Sequence, residues 1–143
     1  MNLCPCGARG DLGAECSCSA QRLAAYRDKL SRALLDRFDL LLTVPRPRAL
    51  ELAGAPSEAS EPVRERVVTA RERLRERRPR RTEAADALLS RAVERLPLSA
   101  RGRARVARVS ATVAVLAGAA EVGPEHLAEA LSFRTPNELA AAA

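Results

Sequence analysis

Residues 34–45 read Leu34-Leu35-Asp36-Arg37-Phe38-Asp39-Leu40-Leu41-Leu42-Thr43-Val44-Pro45. The run from Phe38 to Val44 is apolar and ends at a proline, the pattern of a buried strand. No other stretch of the chain reads convincingly as one. A lone strand leaves its N–H and C=O groups without partners. The stretch therefore predicts a sheet whose other strands lie elsewhere, and marks the chain as one piece of an α/β layer. Arg37 stands between two aspartates where a short helix hands over to this strand. A guanidinium is always charged and grips a phosphate through two donors at once. On a rigid turn it can reach a neighbouring subunit's nucleotide and stabilise the charge of a transferring phosphate. Residue chemistry alone favours the plainer reading, a surface ion pair with Asp36 or Asp39.

Upstream, residues 1–18 are polar and rich in turns, with Gly7, Gly10 and Gly13 and no hydrophobic period. Such a loop needs a staple. Cys4 and Cys6, then Cys16 and Cys18, form two tight pairs. Four thiolates satisfy tetrahedral zinc and leave no open position for water, so a Zn2+ here would be structural. Redox-active thiols and a vestigial site that has lost its ion are the alternatives. Two disulfides suit an oxidising compartment, not the cytosol. Residues 19–30 predict a helix capped by Ser19, and Ser31 predicts a short second one through Leu35.

Downstream, residues 45–61 contain Pro45, Pro47, Gly54 and Pro56 and read as a linker, with one helical turn at Ala49–Leu52. Ser60-Glu61-Pro62 is a helix start. Val63, Val67, Ala70 and Leu74 then make a narrow stripe that ends before Pro79. Three further helices follow. Thr82 caps one with Ala85, Leu88, Leu89, Ala92 and Leu96 inward. Ser99 caps the next with Val106, Val109, Val113 and Leu116 inward and Gly118 near its end. Gly123-Pro124 opens the last, with Leu127, Ala130 and Leu131 inward. The tail after residue 134 is expected to fray. The expected class is mainly α: one strand and a Cys-rich loop from an α/β core, then a four-helix subdomain. The expected boundaries are 1–44, a linker at 45–61, the helical part at 62–134 and a tail at 135–143.

The net charge is +6, and 23 of the 24 basic residues are arginine. A basic balance fits a polyanionic partner such as nucleic acid or nucleotide, or a solvated surface. Tyr26, Phe38 and Phe133 are the only aromatics, which argues against a single-strand stacking platform. No apolar run is long enough to span a membrane, and no signal peptide is visible. The cytosol is the expected compartment.

Arg101, Arg105 and Arg108 share one helical face. Arg101 falls in the first turn, where a cation opposes the helix dipole and a bound anion would offset the cost. A solvated basic face accounts for the same pattern. Nine arginines between Arg64 and Arg81 leave a positive surplus that can track a phosphate backbone; a solvated helix face is the plainer reading. His126 suits a packing or capping role and is assigned no chemistry.

Taken together, MNLCPCGARGD, CSCSAQRLAAYRDKLSRALLDRFDLLLTVPR, SEPVRERVVTARERLRER, LSARGRARVARVSATVAVLAG and EHLAEALSFR resemble, in this order, the C-terminal part of magnesium-chelatase-like AAA+ ATPases of the ComM (YifB) family. The resemblance runs from about residue 1 to residue 134. It implies an α/β ATPase core with a helical lid, assembled as a homo-oligomeric hexamer that uses ATP with Mg2+ and remodels DNA in branch migration and recombination. By the same resemblance Asn2 matches the sensor 1 residue. Arg37 matches the arginine finger, acting in trans, and Arg101 the sensor 2 arginine, acting in cis. Cys4, Cys6, Cys16 and Cys18 match the family's cysteine loop. Leu3 stands where the family usually has proline, and Arg32-Ala33 where it usually has Gly-Pro. The sequence holds no glycine-rich phosphate loop with its Gly-Lys-Ser/Thr ending, and no apolar strand ending in the acidic pair that holds magnesium. The expectation is a fragment that is inactive alone. Two other readings are a stand-alone basic zinc module contacting nucleic acid and a fragment of a metal-chelatase motor subunit.

Overall fold

The computed structural model describes residues 2–10, 13–44, 47–54, 58–96 and 98–134. Pro45, Pro56 and the 135–143 tail, expected to be a strand stop, a linker proline and a frayed end, lie outside the described residues. Seven helices account for nearly all the regular structure there, so the expected mainly α class holds.

The chain divides into two compact units. The first joins residues 1–35 to residues 43–54. It carries the cysteine loop, α1 (Ala20–Arg27), α2 (Arg32–Leu35) and α3 (Ala49–Leu52). Ser19 caps α1 by accepting the Arg22 N–H at 3.3 Å. Ser31 accepts the Leu34 N–H at 3.2 Å at the head of α2. In α3 the Glu51 side chain reaches back to the Arg48 N–H at 2.8 Å. These are the local bonds a helix start requires, because its first N–H groups have no partner within the helix.

The second unit joins residues 36–42 to residues 55–143. Its helices are α4 (Ser60–Glu76), α5 (Glu83–Arg95), α6 (Ala100–Leu116) and α7 (Pro124–Ser132). Thr82 caps α5 through the Ala85 N–H at 3.2 Å, and Ser99 caps α6 through the Gly102 N–H at 3.0 Å. Ser60 proves to be the first helical residue of α4, with Ala59 at the cap position. Gly118 closes α6. Its φ of +75° lets the Gly118 N–H reach Val115 O at 3.0 Å and the Ala119 N–H reach Ala114 O at 2.9 Å. This paired closure needs a left-handed residue just past the helix end. At α7 the Gly123 N–H donates to His126 Nδ1 at 3.0 Å, so His126 has the capping role expected of it.

The core is aliphatic. Leu89, Val106, Leu127 and Ala130 pack together, flanked by Leu88, Ala107, Val109 and Leu131. Ala111, Ala114 and Val122 form a second cluster against Leu74 and Ala119. The buried face of α6 differs from the expected valine stripe. Ser110, Ala111, Ala114 and Val115 are buried, while Val109 and Val113 are half-buried and Leu116 is exposed. Helix α6 packs against both α4 and α7, so its covered arc is wider than one stripe and is filled by small residues that permit close approach.

The expected strand at residues 38–44 is corrected. Among the described residues the sole ladder contact is an isolated parallel bridge between Arg81 and Val122. Residues 40–44 carry no regular structure. A strand exists only by pairing, and the described residues include no second strand to pair with it. Instead the Leu41 N–H donates to Phe133 O at 2.9 Å. Phe38, Leu40, Leu42 and Val44 stay exposed.

Candidate functional site

The cysteine loop turns through Gly7 and Gly10, at φ +81° and +84°. The Gly7 N–H donates to Cys4 O at 3.2 Å, and the Arg9 N–H donates to Cys4 Sγ at 3.3 Å. This folding-back brings all four thiols together: the Sγ atoms of Cys4, Cys6, Cys16 and Cys18 lie within 4.8 Å of one another. Cys4 to Cys6 is 3.3 Å and Cys6 to Cys16 is 3.7 Å. Sulfurs at about 2.3 Å from a tetrahedral zinc lie about 3.8 Å apart, so the cluster is close to the size the ion requires. The cysteines are free rather than disulfide-bonded.

The crowding splits the thiols. The Ala8 backbone N–H, then the Cys4 and Cys18 side chains, bring Cys6 down to about 6. Cys16 is lowered by the Cys18 N–H, but burial and the thiols of Cys4, Cys6 and Cys18 outweigh that bond and push it up to about 11. Asn2 is exposed in the same unit, and the position a Gly7 Cβ would take is 3.6 Å from its Nδ2.

Arg37 and Arg101 belong to the other unit, and both are exposed. The acids on either side of Arg37 are bound to α6 and to the end of α7. Asp36 Oδ2 accepts from Ser99 Oγ at 2.5 Å, and its Oδ1 accepts from Arg134 Nη2 at 3.0 Å. Arg134 Nη1 also donates to Phe38 O at 2.6 Å. Asp39 Oδ1 accepts from Arg105 Nη1 at 2.8 Å and lies 3.7 Å from Arg108 Nη1. The turn carrying Arg37 is thus clamped on both sides to the helix that carries Arg101.

The clamp changes the reading of the arginine face. An anion does sit at the α6 N-terminus, where the dipole favours one, but it is the chain's own Asp36. Arg105 and Arg108 are drawn to Asp39, so they are neither a fully solvated face nor an open phosphate site. Nothing in the sequence marks Asp36, Asp39, Ser99 and Arg134 for this role. Their partners lie more than 60 residues away, and no local pattern encodes such pairs. Arg134 Nε and Arg105 Nε are buried with no hydrogen-bond partner among the described residues, so the clamp carries some desolvation cost.

Known proteins bear out the family resemblance. The family described as "Magnesium chelatase, subunit ChlI" matches residues 1–52, and the one described as "Magnesium chelatase, subunit ChlI C-terminal" matches residues 78–134. An uncharacterised protein of Mycobacterium tuberculosis is 37% identical over 152 residues, covering 93% of this chain and 30% of that protein. Competence protein ComM of Haemophilus influenzae is 37% identical over 133 residues, covering 81% of this chain and 26% of that protein. Protein YifB of Escherichia coli is 32% identical over 139 residues, covering 85% of this chain and 28% of that protein.

The chain belongs to the magnesium chelatase ChlI family.

This ChlI-family chain spans less than a third of the length of these curated relatives. The two matched stretches contain the whole cysteine cluster, Asn2 and Arg37 with Asp36 and Asp39 on one side, and on the other Arg101 together with Ser99, Arg105, Arg108 and Arg134, which hold those two aspartates. No helix among the described residues is long and apolar enough to cross a membrane.

Proposed function

We propose that this chain completes an inter-subunit ATP site in a ComM-like AAA+ ring that remodels DNA during recombination. The observation that carries this reading is the clamp: Asp36 and Asp39 fix the Arg37 turn to α6, and α6 carries Arg101. A finger must be held rigidly, because its whole contribution is charge placed at the right point. Arg37 would meet the γ-phosphate of a neighbouring subunit, and Arg101 that of its own. Asn2 would orient the attacking water. Mg2+ bound with ATP would neutralise charge on the phosphates. The phosphate loop and the acidic pair for magnesium are not in this sequence, so the chain by itself should turn over no ATP.

The four cysteines fit Zn2+ by donor type and spacing. Their role would be to staple a loop that has no hydrophobic core of its own. Four thiolates fill the coordination sphere, so no water would be activated there.

The test is ATP turnover by rings assembled from subunits that contain both the phosphate-binding half and this sequence. Arg37→Ala should reduce turnover by about 1,000-fold or more, and mixing it with phosphate-loop mutant subunits should restore part of the activity at mixed interfaces. Turnover unchanged by Arg37→Ala would overturn the reading.

A further inference from the structure

The charge of this protein is concentrated in one place. Nine arginines and three glutamates between Arg64 and Arg81 carry a net +6, the net charge of the entire chain. The remaining 15 basic and 15 acidic residues cancel. Helix α4 is exposed along its length except at Ala70 and Leu74. After Arg77, at φ −155° and ψ 123°, the backbone leaves the helix and runs to the bridge at Arg81. That strap is pinned: the Val122 N–H donates to Arg80 O at 2.8 Å, and the Thr82 N–H to Val122 O at 3.0 Å. Some arginines have partners. Arg81 pairs with Asp86 at 2.5 Å, and Arg66 with Glu58. Arg77, Arg78 and Arg80 are exposed, with no acidic residue between positions 77 and 82. Arg71 and Arg75, four residues apart on one face of the last turns of α4, extend the same patch.

Folding gives only part of the reason for these cations. A helix C-terminus favours a cation within its last turn, which accounts for Arg73 and Arg75. It does not account for the arginines beyond the helix, whose mutual repulsion costs stability. A polyanion laid along the strap removes that repulsion, and guanidinium forks match phosphate oxygens. No aromatic residue lies in α4 or the strap, so nothing there stacks on bases.

We propose that the arginine strap from Arg71 to Arg80 binds the phosphate backbone of duplex nucleic acid without reading its sequence. It shares with the function proposed above only the nucleic-acid partner, and needs neither the Arg37 nor the Arg101 assignment. ATP turnover is not read in its test, so the two readings fail separately.

The experiment is fluorescence anisotropy of the full chain with a labelled DNA duplex across a KCl series. Affinity should fall steeply with salt. Replacing Arg77, Arg78 and Arg80 together by Gln should make the log–log slope shallower by roughly 2 to 3, since each phosphate contact contributes about 0.9. The triple Lys variant should keep the slope, and Arg91→Gln with Arg95→Gln, two exposed residues of α5, should change it little. The single variant Arg78→Gln, with a loss of about 1, serves if the triple Gln variant does not fold. The proposal is overturned if the triple Gln and wild-type slopes coincide, if the α5 pair lowers the slope as much, if single-stranded DNA binds tighter than duplex, or if the strap variants lose affinity only for anionic vesicles.

Discussion

Asp36 and Ser99, 63 residues apart in sequence, are joined by a 2.5 Å hydrogen bond between carboxylate and hydroxyl. The same hydroxyl accepts the Gly102 N–H, so one side chain both starts α6 and holds the turn that bears Arg37. The other oxygen of Asp36 meets Arg134, whose side chain is only 7% exposed. A short acidic turn, a helix start and the end of α7 thereby become one structural element.

Asp36→Ala removes the carboxylate and leaves the Arg134 guanidinium buried without its counter-ion. Losing one partner of a buried pair costs roughly 3 kcal/mol, more than the worth of the pair itself. Urea unfolding should show a lower midpoint. Arg134→Met should cost less, because it leaves an anion that is partly exposed and still bonded to Ser99. Equal stability of Asp36→Ala and wild type would refute the clamp.

Gly118→Ala tests backbone strain with no packing change, because nothing lies within 4 Å of the position its Cβ would take. An alanine held at a φ of +75° costs about 1 kcal/mol or a little more. Thermal unfolding should show a lower Tm. An unchanged Tm would mean that α6 does not end in the left-handed closure.

His126→Ala removes the acceptor of the buried Gly123 N–H at the start of α7. Loss of such a cap costs about 1 kcal/mol. His126→Asn keeps an oxygen acceptor at the same helical position and should recover part of the loss. If the Asn variant is no more stable than the Ala variant, the imidazole acts through packing alone.

The cysteine loop should take up one equivalent of Zn2+ and then protect all four thiols from a thiol reagent. Chelation should restore their reactivity and speed amide exchange in residues 2–10. Cys4→Ser should weaken uptake sharply, since Cys4 is the buried member of the set and anchors the Arg9 N–H. Uptake of zinc by the Cys4→Ser variant at wild-type strength would remove the case for a four-thiolate site.

The sequence determined what is settled within a few residues. Ser19, Ser31, Thr82 and Ser99 cap helices because a side-chain oxygen there reaches the N–H three positions on. Gly118 and Gly123-Pro124 mark an end and a start for equally local reasons. The two cysteine pairs are near enough in the chain for a short loop to unite them. Only the tertiary structure decided which face of α6 is buried, since that depends on α4 and α7 packing against it together. It decided that Asp36, Asp39 and Arg134 hold the Arg37 turn, because ion pairs across more than 60 residues follow the path of the chain and leave no periodic trace. It also decided the fate of Phe38–Val44: apolar residues give a stretch the preference for a strand, but a strand forms only where a second edge offers its hydrogen bonds.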